Sequence, residues 1–74
     1  MMKTSIDTAL EIWGVLACYN SKTDLMVNDL LEEIAGEKYV VDDDDPIYTT
    51  IKNLSEEERQ AFIEGCEKIK TQMK

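Results

Sequence analysis

The chain has no histidine, one proline, one tryptophan, one phenylalanine and two cysteines. Without histidine it lacks the commonest general base and the commonest imidazole ligand for a metal. Cys18 and Cys66 are far apart in sequence and have no such base to activate them, so neither reads as a catalytic nucleophile. Without paired cysteines or histidine, no transition-metal site is expected. The three glycines, Gly14, Gly36 and Gly65, are scattered and form no phosphate-cradling loop. The N-terminus, MMKTSID, lacks the apolar run of a secretory leader, and Glu11 breaks the only hydrophobic stretch that resembles a membrane span. The expectation is a soluble, cytoplasmic protein with reduced thiols, not an enzyme, with no metal and no cofactor. Cys66 falls on an apolar helical line and reads as a small buried hydrophobe.

Positive charge is also scarce. Sixteen acids against eight bases leave a net charge of −8. Such a surface repels nucleic-acid phosphates and anionic lipid, which argues against direct DNA or RNA binding and against membrane association. Basic protein surfaces are the favoured partners, although charge steers association more than it fixes affinity.

Asp42, Asp43, Asp44 and Asp45 form the densest acidic run. A calcium loop of the EF-hand type needs oxygen ligands at alternating positions, glycine at the sixth and an acid at the twelfth. Counted from Asp42, the fifth, sixth and twelfth residues are Pro46, Ile47 and Asn53, so the pattern fails. The same acids, with Glu32, Glu33, Glu37 and Glu56 to Glu58, offer a different role. They would present carboxylates in place of phosphates to a DNA-binding protein, an acidic mimic. The plainer alternative is that they solvate the surface and satisfy helix N-termini.

At 74 residues the chain makes a single small domain with a limited core, and 43% apolar residues suffice for a folded one. Four helices are expected, so the fold class is all-α, a small bundle, with at most a short extended segment near residues 38–41. The first helix follows a cap at Thr4 or Ser5. At about 100° per residue, Ile6, Leu10, Trp13 and Ala17 fall on one line with Ala9 beside them, an ordinary core stripe. Val15 and Tyr19 project from nearly the opposite side, with Ile12 and Leu16 between the two. This helix therefore has more apolar surface than one stripe requires. Either it is central in the fold or it also contacts a partner.

A second helix carries Val27, Leu30, Leu31 and Ile34, starts at a cap at Ser21 or Thr23, and ends at Gly36. Tyr39, Val40 and Val41 are strand formers without helical period. Asp45-Pro46 is a helix-start pair, and Ile47, Tyr48, Ile51 and Leu54 fit a third helix. Ile47, Thr49 and Ile51 also alternate, so a hairpin with Tyr39 to Val41 competes with that helix. Ser55 and Glu58 form a capping box ahead of Phe62, Cys66, Ile69 and Met73 on the fourth helix.

Two stretches resemble a known family. Ile6-Asp7-Thr8-Ala9-Leu10-Glu11-Ile12-Trp13-Gly14-Val15 looks like the first helix of phage anti-sigma proteins of the AsiA type, through Ile6, Asp7, Thr8, Glu11, Ile12 and Val15. Leu54 to Glu64, LSEEERQAFIE, is similar to a later helix of that family. The two patches keep the family's order and cover about a third of the chain. The middle of this chain is shorter, and the Asp42 to Asp45 run has no counterpart there. The resemblance implies a transcription regulator that binds the C-terminal, promoter-reading region of the primary sigma factor of bacterial RNA polymerase, needing no cofactor. It also implies self-association, as a homodimer, through the first helix. The contact positions it implies are Glu11, Val15, Cys18, Tyr19 and Lys22, which overlap the surplus face found from periodicity.

Overall fold

The computed structural model describes residues 4–72. Four helices follow one another: α1 (Ser5–Ala17), α2 (Ser21–Ala35), α3 (Pro46–Asn53) and α4 (Glu56–Thr71), with a single 3₁₀ turn at Gly36–Lys38. Among the described residues no strand forms, and the fold is a small all-α bundle. Met73, placed by periodicity on the fourth helix, lies outside the described residues.

Local chemistry accounts for most helix boundaries. Thr4 and Asp7 form a capping box at the start of α1, the Asp7 amide donating to Thr4 Oγ1 at 3.1 Å. Ser55 and Glu58 do the same for α4, with the Ser55 amide donating to Glu58 at 2.8 Å. Asp45 caps α3 by accepting the Tyr48 amide, and Pro46 occupies the first turn, where its missing N–H is no loss. Gly36 ends α2 with φ of 57°, a backbone that a side chain strongly disfavours. The start of α2 departs from expectation. Asn20 is the cap, accepting the Thr23 amide at 2.8 Å, so the helix begins at Ser21, while Thr23 is buried within it. Asparagine caps as well as serine does, and its extended backbone leaves the Ser21 to Thr23 amides pointing at it.

The competing hairpin does not occur. Residues 47–53 are helical because one face of α3 can bury Ile51 and Thr50 completely. Tyr39 to Val41 runs as an unpaired segment with Tyr39 extended, tied to α3 through the Val40 amide and Thr50 Oγ1 at 3.0 Å.

The bundle is organised around α1, which packs against α2, α3 and α4, while α2 and α4 also pack on each other. Arg59 of α4 donates to Ser5 at 2.8 Å and to the Leu54 carbonyl at 2.7 Å, locking the start of α1 to the α3–α4 corner. The planar guanidinium reaches both acceptors at once, which lysine cannot do. Lys38 and Glu58 pair at 2.7 Å, joining the end of α2 to the start of α4. So α1 and α4 run in the same sense and α2 runs against them. The two long helices approach closely at Gly65, where a β-carbon would stand 2.6 Å from a Leu30 methyl.

The core comprises Leu16, Val27, Leu31, Ile51, Phe62 and Cys66, all fully buried, with Ala9 and Leu54 beside them. This rotates the expected stripe of α1. Its buried centre is the line through Ala9 and Leu16, whereas Ile6, Leu10, Trp13 and Ala17 are only partly buried and pack along one flank. Three helices close on α1, so the buried arc is wide and its middle falls between the two faces drawn from periodicity. Trp13 still ties α1 to α2, its indole N–H donating to Asn28 at 3.2 Å, while Asn28 donates to Asp24 at 2.8 Å.

Candidate protein-docking surface

Three neighbours do not cover all of α1. Glu11, Val15 and Cys18 are exposed along its outer edge, and Tyr19 and Lys22 continue that edge into the connection and the first turn of α2. Val15, in the last turn of α1, and Tyr19, just past its end, are each 53% exposed; Leu25 at 65% and Val41 at 70% are more exposed but lie on other segments. Ile12, beside them, is half-buried and packs on the core. The second face is therefore real, but narrower than periodicity suggested, because Leu16 belongs wholly to the interior.

Two hollows flank this edge. One, of about 300 Å³, lies between α1 and α4 and is lined by Thr8, Glu11, Ile12, Val15 and Lys70. The other, of about 290 Å³, lies where α2 begins and α4 ends, with Tyr19, Lys22, Thr23, Met26, Ile69 and Gln72 among its walls. The fold thus brings Glu11 and Val15 to one hollow and Tyr19 and Lys22 to the other. Cys18 caps α1 on the same edge and lines neither, its amide donating to the Gly14 carbonyl at 3.1 Å. Lys70, Met26, Ile69 and Gln72 were not foreseen. They come from other elements and reach the surface only through the α4 packing.

The thiols divide as their positions dictate. Cys66 is completely buried, and burial, with a smaller push from the Glu67 carboxylate, raises its pKa to about 12. A thiolate is the reactive form, so Cys66 is chemically silent in the folded protein. Cys18 is exposed. A thiol-alkylating reagent is expected to modify one equivalent rapidly, at Cys18, and the second only after denaturation; intact-mass spectrometry counts both.

The acidic run does not join this surface. Asp42 to Asp45 are exposed on the connection leading into α3 and line neither hollow. Two of the four have local work. Asp43 accepts the Thr49 hydroxyl and the Asp45 amide, and chiefly the Thr49 bond holds its carboxyl below the usual range. Asp45 caps α3. Elsewhere, the Lys38 bond, with the Ser55 amide second, lowers the Glu58 carboxyl to about 2, so it stays ionised in its capping role.

No cluster of three or more metal-ligating side chains occurs among the described residues. Nor is any helix among them long and apolar enough to cross a membrane. No protein-family model, curated protein or solved structure matches the chain.

Proposed function

We propose that this protein is a non-enzymatic regulator that works by binding another protein through the outer edge of α1, with the primary sigma factor of bacterial RNA polymerase as its partner and phage anti-sigma activity as its role. The observation that carries the reading is the exposure of Val15 on α1, whose other large apolar residues are buried or half-buried, together with that of Tyr19 just past the helix end. Two such side chains, set between hollows that admit a partner's own side chains, have the form of a compact energetic centre ringed by polar residues. The sigma-factor assignment rests on the resemblance of residues 6–15 and 54–64 to anti-sigma proteins of the AsiA type. Its implied contact positions coincide with this edge.

The test uses purified RNA polymerase from a bacterial host, with and without its primary sigma factor. Tagged protein is expected to retain the sigma-containing enzyme and not the core enzyme, and to bind the isolated C-terminal region of sigma directly. Equal retention of both forms, or of neither, rejects the sigma assignment. Retention that is lost only when Asp42 to Asp45 are replaced by asparagine would instead favour acidic mimicry of DNA.

A further inference from the structure

Two polar side chains are buried among the described residues, Thr23 and Thr50. They are not alike. The Thr50 hydroxyl accepts the Val40 amide at 3.0 Å, so its burial is compensated. Thr23 is only 5% exposed, and its amide donates to Asn20 at 2.8 Å, but its hydroxyl makes no hydrogen bond among the described residues. No side-chain nitrogen or oxygen sealed from solvent lacks a partner among them, so the Thr23 hydroxyl keeps an opening. That opening is the hollow of about 290 Å³ where α2 begins and α4 ends, which Thr23 lines. A hydroxyl in so enclosed a place needs a hydrogen-bonding occupant, water in the free protein and another polar group once the hollow is filled.

The rest of the wall narrows the chemistry. Met26 and Ile69, both half-buried, offer apolar surface for a stem. Asn20 receives the Thr23 amide on its carbonyl oxygen, which leaves its amino group to donate. Lys22 adds an ammonium, and the start of α2 is the positive end of a helix dipole, so donors prevail and the tip must accept. A carboxylate fits poorly. Asp24, in the same turn as Lys22, and Glu67, two residues before Ile69, offset the lysine, and the whole chain carries −8. A charge taken out of water needs a fixed opposite charge, and none is held here. A purely apolar tip also fails, because it displaces water from the Thr23 hydroxyl and replaces none of its bonding.

We infer that this hollow receives an uncharged carboxamide side chain, glutamine or asparagine, of the protein that binds the α1 edge. Its stem lies on Met26 and Ile69, and its carbonyl oxygen accepts the Thr23 hydroxyl. This assignment rests on the protein-binding reading above and concerns one side chain of the partner.

The experiment measures the Kd of the isolated C-terminal region of the primary sigma factor for wild type, Thr23→Val and Thr23→Ser, with the stability of each from urea titration followed by Trp13 fluorescence. Thr23→Val keeps the shape and removes only the hydroxyl. It is expected to be as stable as wild type or more so, and to bind at least about fivefold more weakly, the worth of one neutral hydrogen bond. Thr23→Ser restores the hydroxyl and is expected to recover most of the affinity, at lower stability for want of the methyl group. Alanine substitution of each glutamine and asparagine of the sigma region in turn should find one that weakens binding to wild type and has no effect on Thr23→Val. Unchanged or tighter binding by Thr23→Val means that the hydroxyl meets water only, and overturns the carboxamide while the protein-binding reading stands. A loss of stability in Thr23→Val that matches its loss of binding makes the hydroxyl structural and overturns it too, as does a sigma region in which no carboxamide couples to Thr23. Absence of binding by wild type overturns both.

Discussion

Val15→Asp/Tyr19→Asp is expected to reduce partner binding by at least about 100-fold while leaving the domain folded. Each side chain is 53% exposed, so removing it opens no cavity in the core. Valine and aspartate have similar intrinsic helix propensities, and Tyr19 lies beyond the end of α1. A carboxylate near the C-terminus of a helix opposes the dipole by about 0.3–1 kcal/mol, too little to unfold a domain. In a complex the same changes bury two charges where two apolar groups were packed. Hot-spot truncations alone cost about 2 kcal/mol or more each, roughly 30-fold, and an unpaired buried charge adds to that. Binding to the sigma region, measured by calorimetry, should therefore vanish from the accessible range, with an unchanged circular dichroism spectrum. If the double variant unfolds, the edge of α1 is part of the stabilising core and its assignment to a partner is wrong.

Phe62→Ala is the complementary case. Phe62 is the largest fully buried side chain and packs where α4 meets the rest of the bundle. Truncating a buried phenylalanine costs about 3–5 kcal/mol, in lost transfer energy and residual cavity. At roughly 0.05–0.15 kcal/mol per residue, a domain of 74 residues has about 4–11 kcal/mol in all. The variant is expected to be largely unfolded or to melt far below wild type, and urea titration followed by Trp13 fluorescence reads the loss. Cys66, its neighbour one helical turn on, should then react with alkylating reagent under native conditions. A loss below about 1 kcal/mol would contradict the packing described.

The two substitutions separate what the sequence reveals from what only packing reveals. Thr4, Asp45 and Ser55 were legible as caps because capping depends on residues within one turn. The helical state of Pro46 to Asn53 was less so. Ile47, Thr49 and Ile51 alternate as a strand would, and only the burial of Thr50 and Ile51 against the bundle decides the matter. Asn20 took the capping role expected of Ser21 or Thr23, since several polar residues in a row can each start a helix. In α1, periodicity correctly showed surplus apolar surface but set its boundary one residue line off. Leu16 went inside because three helices surround α1, a number the sequence does not encode locally. Periodicity marked Val15 and Tyr19 on that face, whereas Glu11, Cys18 and Lys22 were named only through the resemblance to the AsiA type. Lys70, Met26, Ile69 and Gln72, the opposing walls of both hollows, depend on how α4 and α2 pack.

The central claim, that the outer edge of α1 is covered by a partner protein, has a native probe in Cys18. Its alkylation rate is measured with and without the C-terminal region of sigma, at a concentration that saturates capture, with Cys66 as the internal silent control. The expected result is a slowing of Cys18 modification by tenfold or more in the complex. An unchanged Cys18 rate with the partner bound would place the interface elsewhere and contradict the account.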